Sequence, residues 1–358
     1  MNGREVREAA ELAARHAVSA DRARRLPGEV VAALVAAGFS RHFVPARWGG
    51  RAGGFGELLD AVSAVGEGCT SAAWIAAVVA GAARMGVYLP EEGQRELWST
   101  GAETVVAGAL NPGGRAVPEA GGWRLTGEWP LVSGVDLADW TLVCALVPRG
   151  ERAVARLFAV PCRDYRVVDT WFNVGLRATG SNTLVVDGVF VPGHRSVARG
   201  AVRQGRAVGS DAPCHTARLR AVSGTLFAAP ALGAARAAVR SWSARSAGQT
   251  AGRPPSPADG RPARSVLARA EGEIESAALL LRRVALAGDG GPGGGGEPAR
   301  ARRDCALAAD RLVDAVERLF RSAGCGAQAQ DEPLQRIWRD VHCAASHTAL
   351  RLDTAGSA

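Results

Sequence analysis

The 358-residue chain contains no lysine; all 43 of its basic residues are arginine. That absence excludes a Schiff-base enzyme and a P-loop with its phosphate-binding lysine. Seven cysteines, at 69, 144, 162, 214, 305, 325 and 343, include no Cys-x-x-Cys pair and are odd in number. They read as reduced thiols of a cytoplasmic protein rather than a disulfide framework. No run of eighteen uncharged apolar residues occurs, and the most apolar stretch, 72–83, is edged by Arg84, so no membrane span is expected. The opening MNGREVREAAELAARHA is charged and helical in period, without an apolar signal core. The six histidines (16, 42, 194, 215, 342, 347) lack zinc-ligand spacing, since His342 and His347 diverge on a helix.

With 47% hydrophobic and 22% charged residues, the chain suits a soluble protein of two or three units able to bury a large core. The net charge of +8 invites a nucleic-acid reading. The arginines alternate with carboxylates (Arg4, Glu5, Arg7, Glu8, Glu11, Arg15), however, as on a solvated helix face, and no nucleic-acid partner is expected. Arginine in place of lysine, beside abundant Ala and Gly, reads as a coding bias.

Helical periodicity covers 3–20, 27–37, 55–67, 72–87 and 90–98. β-branched runs bounded by Gly, Pro or Asp follow at 104–107, 123–126, 128–132, 140–147, 155–160, 166–169 and 182–191. Helices return at 216–245, 264–287, 301–323 and 334–352, interrupted by 246–262 and by the low-complexity 288–298, which reads as a flexible surface loop. The chain thus divides into helical 1–102, a β-barrel-like 103–212 and a four-helix bundle over 213–358.

The stretch 111–140, NPGGRAVPEAGGWRLTGEWPLVSGVDLADW, is the densest in chemical signal. It opens on an Asn-Pro-Gly-Gly turn, turns again at Gly121-Gly122, and delivers Ser133-Gly134 to a strand end. A hydroxyl beside a glycine there brings a donor and bare backbone up to a flat ligand. Farther on, Gly175-Leu176-Arg177-Ala178-Thr179-Gly180-Ser181 offers backbone N–H groups, two hydroxyls and a cation. Arg336 and Asp340 are spaced as a helical i,i+4 pair.

These motifs resemble the flavin-facing β-domain of the acyl-CoA dehydrogenase superfamily, and more narrowly its two-component flavin-dependent monooxygenases. That branch has a Pro-Gly-Arg-Ala turn, a Gly-Gly-(Trp/Tyr)-Arg strand and a Gly-x-Trp-Pro-x-x-Ser-Gly strand. They correspond to Pro112–Ala116 (with one extra Gly), Gly121–Arg124 and Gly127–Gly134. Val44–Gly50, the Thr-Ser-x-x-Trp segment at 70–74, and 175–181 match as well, so the likeness covers almost the whole chain.

The resemblance implies a mainly α fold with a central β-barrel, and a flavin between barrel and bundle. Reduced FMN or FAD would come from a separate NAD(P)H-dependent reductase, and O2 would be the co-substrate. It implies flavin contacts at Asn111, Ser133, Gly134, Arg177, Thr179 and Ser181, with the Ser133 hydroxyl at flavin N5. Trp171 either lines the ring or packs in the core. Trp74, His342 and His347 are expected at the substrate, with His347 as a catalytic base of near-neutral pKa and Ser133 as the catalytic partner of the flavin. The implied reaction is hydroxylation of an aromatic or polycyclic phenol by a homodimer or homotetramer. Amino-sugar N-oxygenation, acyl-CoA dehydrogenation and a flavin-free scaffold are the alternatives. A dehydrogenase needs a carboxylate base, yet no Glu follows Glu332 and Asp353 is the single carboxylate in 347–358, leaving only Glu271, Glu273 and Glu275 on an earlier helix. A short tail after His347 is expected to leave the pocket less closed than the resemblance implies.

Overall fold

Five helices open the chain in a computed structural model, which describes residues 1–250, 257–290 and 297–351. They are α1 (Gly3–Ala23), α2 (Gly28–Ala36), α3 (Phe55–Gly66), α4 (Thr70–Gly86) and α5 (Glu91–Leu97). Asn2 starts α1 by accepting the Arg4 N–H at 3.1 Å, as a side-chain cap should. Small apolar residues fill α4, so it can be buried on nearly every side and run through the centre of the molecule.

Seven strands follow: β1 (Val106–Glu119), β2 (Gly122–Val132), β3 (Trp140–Arg149), β4 (Arg152–Pro161), β5 (Arg166–Val168), β6 (Asn182–Pro192) and β7 (Ser196–Ala198). They form one mixed sheet in the order β5-β6-β2-β1-β3-β4-β7, in which β1 and β3 run parallel. The expected barrel is therefore corrected to an open sheet. Its two edges, β5 and β7, are three residues long, too short a ladder to join.

The expected Asn-Pro-Gly-Gly turn is also absent. The chain runs through it as β1, slipping register against β3 between Ala109 and Gly114. Gly113, Gly114 and Gly127 are bare because Trp129 lies against them. A Cβ at any of the three would come within 2.7 Å of the indole. Trp129 itself is buried and donates from Nε1 to the Cys144 carbonyl at 2.6 Å. Much of the glycine–tryptophan motif thus serves packing, and β2 is one strand rather than two.

The remaining helices are α6 (Arg199–Gln204), α7 (Pro213–Thr216), α8 (Leu219–Thr250), α9 (Pro257–Asp289), α10 (Pro298–Ser322) and α11 (Pro333–Ala345). Helix thus occupies much of the expected connector at 246–262, of which 251–256 lie outside the described residues. Part of α8, Leu219–Ala247, is long and apolar enough to cross a membrane, but 72% of its most apolar window is buried in the bundle. Gly288 and Asp289 belong to α9 rather than to a loop, and 291–296 lie outside the described residues. Asp289 caps α3 from a distance, accepting from Phe55 N at 2.6 Å and Gly56 N at 3.0 Å.

One apolar core joins the first helices to the bundle, with Leu58, Val62, Ala73 and Ala77 packed among Ala228, Leu232, Leu281 and Leu312. The tightest point is the α3–α8 crossing. A Cβ on Gly66 would sit 2.7 Å from the Pro230 carbonyl, and one on Gly233 would strike the Ser63 carbonyl. Backbone on both sides leaves nothing to yield. Gly233→Val is expected to cost at least about 1–3 kcal/mol, read as a lower urea midpoint with unchanged slope. An unaltered midpoint would show that the helices can part freely.

Candidate active site

Strand β2 ends in a bulge. Its register against β6 slips between Trp129 and Val132, and Leu131 takes a left-handed φ of 62° with its side chain exposed. The slip hands Ser133 to the underside of α4. Gly134 follows at φ 70°, where a Cβ would lie 3.2 Å from Ile75 Cδ1 of that helix. Its N–H donates to the Thr179 carbonyl at 3.0 Å, tying the strand end to the 175–181 loop.

The hydroxyls of that loop converge on Ser133. Trp74 Nε1–H donates to Ser133 Oγ at 2.9 Å, Ser133 and Ser181 share a bond of 2.8 Å, and Ser181 and Thr179 share one of 2.7 Å. Thr179 gives its proton to the Leu176 carbonyl at 2.9 Å. Counting protons along the row, Ser181 then donates to Thr179 and Ser133 to Ser181, so the chain points from the indole into the loop. Trp171 packs in the core and donates to the same Leu176 carbonyl at 2.9 Å.

Two residues outside the recognised motifs hold this loop. Asn182 Oδ1 accepts from Thr170 N and Trp171 N, both at 3.1 Å, while its amide donates to Asp136 at 2.9 Å. Asp340, buried on α11, accepts the Leu176 N–H at 2.7 Å, and Gly175 lies so close to the Arg339 carbonyl that no side chain fits. Burial lifts the Asp340 carboxyl to about 6. Asp340 therefore serves the loop rather than a helical pair with Arg336.

Helix α11 stops at Ala345, so His347 is not on it. It caps a short turn, Thr348–Leu350, with Nδ1 accepting the Ala349 N–H at 3.2 Å. Its ring stacks on Phe227 of α8, centroids 3.7 Å apart and planes 22° apart, and meets Trp74 edge-on at 5.8 Å. Trp74 and Phe227 are 5.4 Å apart. Burial depresses the imidazole to about 4, so the near-neutral pKa expected of it is corrected. The neutral ring, with Nδ1 occupied, carries its proton on Nε2. It offers a donor.

Trp74, Ser133, Gly134, Thr179, Ser181 and His347 therefore meet in one place. The structure does not bring the other three candidates there. Arg177 turns to α1, donating to the Asp21 carbonyl at 3.1 Å. His342 faces α10, 3.4 Å from Glu317 and packed on Trp338. Asn111 is exposed in the irregular part of β1 and makes no side-chain hydrogen bond among the described residues. Phe227 escaped sequence reasoning because a lone aromatic in an Ala-rich helix carries no local signal.

The expected open crevice is closed in this single chain. Trp74 stands between Ser133 and His347, and Phe227 covers the imidazole. A cavity of about 20 Å³ lies behind α4, lined by Leu34, Phe39, Ile75, Val79, Val105 and Leu137, and does not reach either residue. The side chains nevertheless suit a flat, hydrogen-bonding ring. Hydroxyls and bare backbone lie on one side, and Trp74, Phe227 and the imidazole supply flat faces on the other. Admitting it requires Trp74 or Phe227 to turn. The carboxylates a dehydrogenase would use do not reach this cluster. Glu273 is tied to Arg318 at 2.6 Å, and Glu271 and Glu275 face solvent.

An open sheet between two sets of helices, with a hydroxyl row meeting the last helices, defines an acyl-CoA dehydrogenase-like scaffold. Residues 225–352 match the family model for the acyl-CoA dehydrogenase C-terminal domain. The chain is 33% identical to the oxygenase subunit HsaA of a flavin-dependent monooxygenase from Mycobacterium tuberculosis, over 91% of this chain and 86% of that one. The oxygenase component of an FADH(2)-dependent resorcinol hydroxylase from Rhizobium is 29% identical over 94% and 87%. Among solved structures, 3-HSA hydroxylase from Rhodococcus superposes with a TM-score of 0.92 at 28% identity, covering 98% and 94%. XiaF from Streptomyces, solved with FADH2 and glycerol, superposes with a TM-score of 0.90 at 27% identity, covering 99% and 92%. The chain belongs to the family of flavin-dependent monooxygenase oxygenase subunits.

Proposed function

We propose that this oxygenase component hydroxylates a phenolic aromatic ring, using reduced FMN or FAD delivered by a separate NAD(P)H-dependent reductase. The observation that carries the reading is the junction of the Ser133–Ser181–Thr179 hydroxyl row with the Trp74–Phe227–His347 aromatic cluster. The names of the relatives, resorcinol hydroxylase among them, support the phenolic class.

Reduced flavin supplies the electrons that activate dioxygen. The chain's own residues do the rest. Ser133 and Gly134 present a hydroxyl and bare backbone to the flavin edge from a fixed strand end, so little reorganisation accompanies the reaction. Trp74, released from Ser133 when the flavin enters, becomes a wall of the substrate pocket. Phe227 stacks on the aromatic substrate, and His347 donates from Nε2 to its phenolic oxygen. Closure of these rings excludes water, which protects the oxygen-reactive flavin from wasteful decay.

The exposed Leu131, Phe172 and Val174 beside this region, and Leu279 and Leu286 on α9, support assembly into a homodimer or homotetramer. The test is coupling, measured as hydroxylated phenol formed per reduced flavin oxidised. Ser133→Ala is expected to lower it about tenfold and to weaken reduced-flavin binding. Full coupling in that variant, or no phenol accepted by the wild-type chain with a reductase, overturns the reading.

A further inference from the structure

The cavity behind α4 takes no part in the contacts described so far. Of the residues that line it, Ser40 alone has a polar side chain. Its hydroxyl is wholly buried and has no hydrogen-bond partner among the described residues. The space, about 20 Å³, exceeds the roughly 10–15 Å³ that one water needs. Water, however, would find one lining hydroxyl where about two to four polar partners are usual. The cavity therefore favours a small apolar occupant, and an aromatic ring is too large for it.

Its position gives it two ends. On the outer side Val31 and Val35, one turn apart on α2, and Leu137 are only partly buried. On the inner side lie Ile75 and Val79, one turn apart on α4 and both buried. Ile75 is shared with the active site, since a Cβ on Gly134 would lie 3.2 Å from its Cδ1. Leu137 is shared as well. Its N–H donates to the Gly134 carbonyl at 3.0 Å and closes the turn after the strand end. A single layer of side chain thus separates the cavity from the backbone beside Ser133.

We propose that this cavity admits dioxygen and passes it along Ile75 to the strand end at Ser133-Gly134. The proposal rests on the reading that those two residues face the flavin edge. Dioxygen is small, uncharged and apolar, so it enters such a space without giving up hydrogen bonds. A path behind α4 leaves Trp74, Phe227 and His347 to the ring substrate, and a bound phenol would not block the gas.

The chain has three isoleucines, Ile75, Ile274 and Ile337, and all are buried. Isotope labels on their δ1 methyl groups give one probe at the cavity and two controls. In the full chain without flavin, dissolved oxygen, a paramagnet, is expected to speed relaxation of the Ile75 methyl several-fold more than the other two. Val79→Phe fills the cavity and should bring Ile75 down to their level. The same variant should react with oxygen about tenfold more slowly when loaded with reduced FMN, at a Kd for FMN within about twofold of the wild type, because each encounter waits on a larger rearrangement. Since Val79→Phe adds bulk to the core, Val35→Phe on the partly exposed rim offers a second way to close the cavity, with the same expected results. Equal relaxation of the three methyls overturns the proposal, as does an Ile75 effect that survives both substitutions. An unchanged oxygen rate after the Ile75 effect has gone also overturns it, because the gas would then reach the flavin another way. Phenol hydroxylation by a wild type whose three methyls relax alike would sink this proposal and leave the function standing. A wild type that binds no reduced FMN would fail as a hydroxylase and end the delivery role, while the Ile75 methyl would still report whether the cavity takes oxygen.

Discussion

His347→Ala is expected to bind reduced flavin within about twofold of the wild type, yet to form on the order of 100-fold less hydroxylated product per flavin oxidised. The imidazole stacks on Phe227 and meets Trp74, so it stands on the substrate side of the cluster, away from the hydroxyl row that would hold the flavin. Its loss removes the Nε2 donor and lets the two aromatic rings collapse further, and flavin oxidation continues without transfer to the ring. Because Nδ1 also caps the turn at Thr348, alanine alone would confuse a structural effect with a chemical one. His347→Asn separates them, since an amide oxygen can still accept the Ala349 N–H. The turn should then be retained, with melting near that of the wild type, while coupling stays low. Coupling restored by Asn would reduce His347 to a cap, and coupling unchanged in Ala would remove it from the reaction.

Much of this is legible in the sequence. The helices announce themselves by period, and Ser133-Gly134 and Thr179-Gly180-Ser181 stand out as hydroxyls beside glycine. What could not be read was which of these groups would touch. Trp74 is 59 residues from Ser133, and its indole reaches that hydroxyl only because β2 bulges at Leu131 beneath α4. Arg177 looks like a ligand to an anion in its motif, but α1 passes within reach and takes it. A pattern of glycines cannot distinguish bare backbone kept for a ligand from bare backbone kept for Trp129, and here it is mostly the second. The closed barrel expected from the strand pattern fails for a related reason. Strand period shows how many ladders there are, whereas closure depends on the edge strands, and β5 and β7 are too short to carry it. Asp340 is a buried partner of a backbone N–H 164 residues away, a relation invisible to any local spacing.

The protein is expected to lose most of its stability between pH 6.5 and 4. Three histidines, His42, His215 and His347, are buried and depressed from 6.5 to about 4, in each case chiefly by desolvation. His42 and His215 are also fixed to backbone, through the Gly54 carbonyl at 2.9 Å and the Phe43 carbonyl at 2.6 Å, and cannot swing out to meet water. The sign follows from proton counts. Between pH 6.5 and 4 each of these rings is protonated in the unfolded chain and neutral in the fold, so stability present above 6.5 is lost as pH falls towards 4. Each contributes about 1–3 kcal/mol over that window. Asp340 acts the other way. Its carboxyl is raised from 3.8 to about 6, so its contribution is fully present below 3.8 and is lost as pH rises through 6. Three groups against one leave a net loss of several kcal/mol on acidification, set against a typical total of about 5–15 kcal/mol. Urea unfolding at pH 7.5 and at pH 5 measures it directly, with a much lower midpoint expected at pH 5. Asp340→Asn keeps an acceptor for Leu176 N–H but removes the opposing titration, so its stability should fall more steeply with acid than that of the wild type. Equal midpoints at the two pH values in the wild type would mean that these rings reach solvent or find an anion when protonated.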